Sequence, residues 1–145
     1  MQTLKPHSNT IEAPEKDYLF IASSQIPFSG NGLFTAIDIY KDEVIVLFKG
    51  EILTDAQIKL RIKKGHDKYF INMVDGSMMD SMHTQCFAKY ANDADGFSGS
   101  KFRNSSRIAL DEDDNVCIVA TRNIKTNEEI FCSYGKSYWK KHNLV

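Results

Sequence analysis

Short β-type runs punctuated by turn residues fill the chain from Tyr18 onward and constrain its fold more than any other feature. Tyr18-Leu19-Phe20-Ile21-Ala22 reads as a strand, Ser29-Gly30-Asn31-Gly32 as a turn, and Leu33-Phe34-Thr35-Ala36-Ile37 as a second strand. Val44 to Phe48 is a continuous apolar run of the kind that forms a buried strand. Lys68 to Val74 and Met78 to Met82 flank Asp75-Gly76, a tight-turn dipeptide. Arg107 to Leu110 and Val116 to Ala120 make a hairpin across the acidic run Asp111-Glu112-Asp113-Asp114, and Glu129 to Ser133 is the last strand. One helical pattern interrupts them. Thr54 caps a helix from Asp55 to about Lys64, Gly65 stops it, and Ile58 and Ile62 predict a narrow buried stripe. His83 to Asn92 reads as a short helix entering a loop, and Asp93 to Ser106 as an exposed loop. The pattern is that of a β-rich α+β domain.

The 145 residues fit one domain, read as a loose N-terminal tail over 1–16 and a folded unit over 17–145. Nine Phe and six Tyr, within 42% hydrophobic residues, supply a core without metals or disulfides. A net charge of −1 gives no basic field to make nucleic acid the main partner. Cys86, Cys117 and Cys132 are odd in number and contain no C-x-x-C pair, which argues against a disulfide framework and a cysteine zinc site. Met1 to Pro14 lacks an apolar core segment, and no apolar stretch approaches the ~18 residues of a membrane span. The expectation is an unsecreted protein of the cytoplasm or nucleus, with no membrane contact. Metals are not expected. The calcium-loop pattern around Asp93 and Asp95 puts Ala91 and Phe102 at its end positions, and His83 with Cys86 finds no second ligand pair.

Three segments carry the chemistry. Gly30-Asn31-Gly32-Leu33-Phe34 offers a backbone that a ligand can approach closely. It is not a dinucleotide fingerprint, because no third glycine and no βαβ pattern follow. Cys86-Phe87-Ala88-Lys89-Tyr90-Ala91-Asn92-Asp93 ends in the turn residues Asn92 and Asp93. Glu129-Ile130-Phe131-Cys132-Ser133-Tyr134-Gly135, followed by Tyr138-Trp139, ends a strand in a tyrosine.

In this order the segments resemble a SET domain, the fold of S-adenosylmethionine-dependent protein lysine methyltransferases, over about residues 17–140. The resemblance implies small sheets with a C-terminal segment threaded as a pseudoknot. It implies that Gly30, Asn31, Gly32 and Leu33 hold the methionine part of the cofactor. Lys89-Tyr90-Ala91-Asn92-Asp93 stands where the family has Arg-Phe-Ile-Asn-His. Asn92 would bind the cofactor amino group, Asp93 would contact adenine through its backbone, and Lys89 would replace the arginine as a point charge. Tyr134 matches the catalytic tyrosine. Phe48, Tyr69 and Cys132 would line the lysine channel. Cys132, smaller than the family's Tyr or Phe, would leave room for a di- or trimethylated product. Tyr138 and Trp139 would cover the cofactor.

The implied substrate is a protein or peptide lysine, on a histone by family analogy, held as an added strand beside Tyr69. No cysteine-rich zinc module flanks the segments, so a second subunit in a homodimer, or the substrate itself, would close the site. The departures at Lys89, Asp93 and Cys132 support a rival expectation, a catalytically silent SET-like protein-binding module.

Overall fold

The computed structural model describes residues 9–96 and 101–134. Among the described residues ten strands form three small sheets. The first joins β1 (Leu19–Ser23), β2 (Asn31–Thr35) and β9 (Glu129–Ile130), all antiparallel. The second has the order β10 (Cys132–Ser133), β7 (Ser106–Leu110), β8 (Val116–Ala120) and β3 (Val44–Leu47). Its β10–β7 pair is parallel and the rest are antiparallel. The third orders β4 (Glu51–Ile52), β6 (Met78–Asp80) and β5 (Phe70–Asn72). Among the described residues these sheets are joined by helices α1 (Glu15–Tyr18) and α2 (Asp55–Lys63) and by short 3₁₀ turns at Phe87–Tyr90 and Ala94–Gly96. The strand-rich, helix-poor architecture is the one expected.

The core joins the first two sheets. Leu33, Ile39, Ile45, Ile118 and Ile130 are fully buried there beside Val46, Ala91 and Cys132. Removing such side chains from water is the main favourable term in folding. The apolar run at β3 is buried at its centre, Ile45 and Val46, and half-buried at Val44 and Leu47. The β7–β8 hairpin turns where the acidic run lies. Asp111 Oδ1 accepts from the backbone N–H of Asp113 and of Asn115, both at 2.9 Å. The acidic residues thus serve the turn's own backbone.

Helix α2 starts and stops as expected. Thr54 Oγ1 accepts from Gln57 N–H at 3.2 Å, and Gln57 Oε1 accepts from Thr54 N–H at 2.8 Å, a reciprocal cap. Gly65 ends it at φ +75°. The predicted buried stripe does not form. Ile58 is half-buried and Ile62 exposed, and no residue of the helix is buried. Arg61 anchors the helix instead, donating at 2.7 Å to both Glu51 and the fully buried Asp80.

Three other expectations are corrected. Asn31 and Gly32 belong to β2, so the turn is the loop 24–30, closed by Ser24 N–H to Gly30 O at 2.8 Å. The stretch 9–16 is docked: Thr10 bridges Val44, Ile11 packs on the core, and Glu15 Oε2 accepts from Leu47 N–H at 2.9 Å. The 93–106 loop is buried at both ends, at Asp93, Ala94, Ser105 and Ser106. In each case tertiary contacts supply partners that local composition does not show.

Candidate active site

The last described strand builds the site. Phe131 bridges Asn92 in parallel, Cys132 N–H donates to Asn92 O at 2.8 Å, and Ser105 and Ser106 donate their N–H groups to Phe131 O. Residues 131–133 therefore lie between the Asn92 segment and β7. The chain emerges at Tyr134, whose N–H donates to Asp93 Oδ2 at 2.8 Å and whose hydroxyl donates to Ala91 O. Asn92 Nδ2 in turn donates to Asn31 O at 3.0 Å. All three sequence segments meet here.

They share a cavity of about 900 Å³ with the residues from Asp67 to Asn72 and the outer end of the β7–β8 hairpin. That volume suits a drug-sized or cofactor-sized ligand. Among the expected site residues, Gly30, Asn31, Phe48, Tyr69, Lys89, Tyr90, Asn92, Asp93 and Tyr134 line it. Four of these are aromatic, so the wall offers apolar ring surface to an aliphatic stem.

Four expected residues are placed differently. Leu33 and Cys132 are fully buried in the core and do not border the cavity. Burial pushes the Cys132 thiol up to about 12. The room that Cys132 was expected to leave for extra methyl groups is therefore filled by core packing. Gly32 also lies behind the wall: a Cβ there would collide with the Glu129 carboxylate. Lys89 lines the cavity, yet its ammonium donates to the carbonyls of Ser81, Met82 and Thr84 at 3.0, 3.2 and 3.1 Å. It also lies 5.6 and 5.5 Å from the ring centroids of Tyr69 and Tyr90. It clips the chain between β6 and the 3₁₀ turn. Tyr138 and Trp139 lie outside the described residues.

Two participants escaped the sequence reading. Asp93 is 2% exposed, and its Oδ1 also accepts from Asp95 N–H at 2.9 Å and Asn104 Nδ2 at 2.8 Å. Asn104 Oδ1 accepts from Ala94 N–H at 2.8 Å. The signal for Asn104 was only a sequon, Asn104-Ser105-Ser106. Glu129 is fully buried, and its carboxylate accepts from Ser24 Oγ and Gln25 N–H, both at 2.7 Å. Nothing in a strand-forming sequence marks such an internal carboxylate.

Among the described residues no cluster of three or more His, Cys, Asp or Glu side chains could hold a metal ion. No described helix is long and apolar enough to cross a membrane.

The family model described as SET domain matches residues 30–135. No curated protein matches the chain. Among solved structures, a humanized mutant of the Chaetomium thermophilum Polycomb Repressive Complex 2 bound to the inhibitor GSK126 is similar, with a TM-score of 0.66 and 21% identity. The similarity covers 84% of this chain and 16% of that one, and shows a shared fold.

Proposed function

The chain belongs to the SET domain family, and on that premise we propose that it transfers a methyl group from S-adenosylmethionine to the ε-amine of a protein lysine. The observation that carries this reading is the junction of Tyr134, Asn92 and Asn31 in one aromatic-walled cavity. The cavity residues fit the cofactor. Gly30, at φ +67° with open space where a Cβ would lie, leaves bare backbone at the wall. Asn92 and Asn31 add an amide and a carbonyl, and the Ser29 hydroxyl is buried without a partner.

When bound, the cofactor supplies an electrophilic methyl group on a sulfonium. The protein's share is to bind, orient and desolvate. A free lysine amine has a pKa of about 10.4 and must lose its proton to attack. Phe48, Tyr69, Tyr90 and Tyr134 surround the cavity with ring surface, which disfavours the charged amine. Tyr134 and the Ala91 carbonyl together offer a hydroxyl and an acceptor to orient it. Asp93 holds the Tyr134 backbone, so the tyrosine is positioned before any ligand arrives.

An extended protein segment carrying the lysine suits β5, which is an edge of its sheet and lines the cavity. A histone is the substrate favoured by family analogy. Cytoplasm and nucleus are the compartments where such substrates occur. A second subunit, as in a homodimer, is one way to close the cavity. One observation favours the silent-module alternative: Lys89 spends its ammonium on three carbonyls rather than on a ligand.

The test is methyl transfer from radiolabelled S-adenosylmethionine to core histones and to a lysine peptide library. Label on lysine that disappears with Tyr134→Phe supports the enzyme. Cofactor binding with no label on any acceptor supports the silent module.

A further inference from the structure

We propose that Lys68 is itself a methylation site, its amine accepting the methyl group within the same chain whose cavity it lines. The proposal rests on the methyltransferase reading above and names an acceptor for it.

Among the described residues two lysines line the cavity, Lys68 and Lys89. They differ in what holds them. The Lys89 ammonium donates to the carbonyls of Ser81, Met82 and Thr84, which engages all three of its hydrogens. It is half-buried and fixed. Lys68 is exposed, and its ammonium lies 5.3 Å from the centroid of the Tyr69 ring. Among the described residues its head makes no hydrogen bond or ion pair besides that contact. One exposed cation–π contact is weak, and the four-carbon stem is flexible, so the head leaves the ring readily. The contact nevertheless keeps the amine beside a ring that walls the cavity.

The backbone of Lys68 is held more firmly than its head. Phe70 N–H donates to Asp67 O at 3.2 Å, closing a turn that contains Lys68 and leads into β5. Phe70, Ile71 and Asn72 of that strand line the same cavity. Lys68 is therefore an amine tethered at the mouth of the site, and a tether replaces a bimolecular encounter by an intramolecular one. Lys59, Lys63 and Lys64, on α2 and at its end, are exposed too, but they do not line the cavity. With the cofactor bound, the neutral Lys68 nitrogen forms the new bond to the methyl carbon as the carbon–sulfur bond breaks. The sulfur keeps the bonding pair and leaves as the thioether of S-adenosylhomocysteine, and the proton shed by the nitrogen passes to water.

The test incubates the full chain with radiolabelled S-adenosylmethionine and no added acceptor, and maps the methylated residues by mass spectrometry. The wild type, Lys68→Arg and Tyr134→Phe are compared, and a parallel reaction contains the lysine peptide library. Label is expected on Lys68 at about tenfold or more the level on Lys59, Lys63 or Lys64, because only Lys68 is tethered at the cavity. The rate per molecule is expected to stay constant over about a tenfold dilution of the protein. Lys68→Arg should remove the label, and Tyr134→Phe should lower it in parallel with peptide methylation. If the peptides are methylated and Lys68 is not, the function stands and the self-methylation site is overturned. Label spread evenly over Lys59, Lys63, Lys64 and Lys68, or undiminished by Tyr134→Phe, is surface alkylation and overturns it as well. A rate per molecule that rises with protein concentration means transfer between molecules and overturns the intramolecular site. A chain that methylates neither itself nor any peptide overturns both the site and the reading beneath it.

Discussion

The Glu129 carboxylate occupies the space beside Gly32 that any Cβ would need. Glu129 lies in β9 and Gly32 in the neighbouring β2. From there the carboxylate reaches across to Ser24 and Gln25 and fixes the start of the loop that carries Gly30 into the cavity wall. The first of the two glycines in the Gly-x-Gly pair thus faces the ligand space, whereas the second makes room for an internal strut.

Gly32→Ala should therefore act through the fold. The new methyl group displaces Glu129 and leaves Ser24 Oγ and Gln25 N–H without their acceptor. Overpacking plus lost hydrogen bonds predicts a loss of about 3 kcal/mol in urea unfolding. Gly30→Ala meets open space, so its penalty comes from the positive φ alone and should be nearer 1 kcal/mol. Equal unfolding midpoints for the two variants would contradict this assignment.

Tyr134→Phe separates chemistry from binding. The substitution removes the hydroxyl that meets the Ala91 carbonyl and leaves the ring and the backbone link to Asp93. Turnover should fall about 100-fold, the scale of a misplaced reacting group, while calorimetric affinity for S-adenosylmethionine stays within about twofold. Unchanged turnover would remove Tyr134 from the mechanism.

Asp93→Ala should damage both stability and rate. It leaves the N–H groups of Tyr134 and Asp95 and the Asn104 amide without their buried acceptor. A loss of about 3 kcal/mol is expected from stranded donors, with turnover reduced because Tyr134 is no longer held. Asn104→Ala tests the other side of the hub. It should destabilise less, since Tyr134 keeps its bond to Asp93. Thermal unfolding and single-turnover rates on both variants give the comparison.

Local signals announced the elements that local chemistry determines. Thr54 and Gln57 cap their helix through each other, and Asp111 makes its own turn, so both were legible. The strand at Val44 to Leu47 was legible because it is an unbroken apolar run, and its centre, Ile45 and Val46, is buried. The misreadings share a cause. Gly32 looked like a turn residue because glycine frees φ, but its role is the absence of a Cβ opposite a side chain in another strand. Lys89 looked like a ligand-reaching charge, but three carbonyls of the preceding segment absorb it. Ile62 looked like a core residue, but Arg61 does the anchoring. The cavity itself became visible only when Asn31, Asn92 and Tyr134 were brought together in space.

Buried acids other than carboxylates set the alkaline limit of stability. Burial pushes the Cys117 thiol up to about 11 and the Cys132 thiol up to about 12. The Tyr18 phenol, which donates to Ile45 O, is raised as well by burial and by Glu15 and Glu43. An unfolded thiol titrates near 8.5. The folded state therefore binds protons more tightly than the unfolded state, and its advantage is complete below about pH 8.5. The advantage is lost as pH climbs through the unfolded pKa toward the folded values of 11 and 12. Each thiol then weakens folding by up to about 1.4 kcal/mol per pH unit in that window. Urea unfolding at pH 7.5, 9 and 10 should show a falling free energy, with a loss at pH 10 of at most about 2 kcal/mol per thiol. Cys117 and Cys132 should also resist a thiol reagent in the native state at pH 8, because both are fully buried. A flat stability profile together with rapid modification of both thiols would mean that this part of the core opens readily in solution, and that β10, which carries Cys132, does not hold Tyr134 in place.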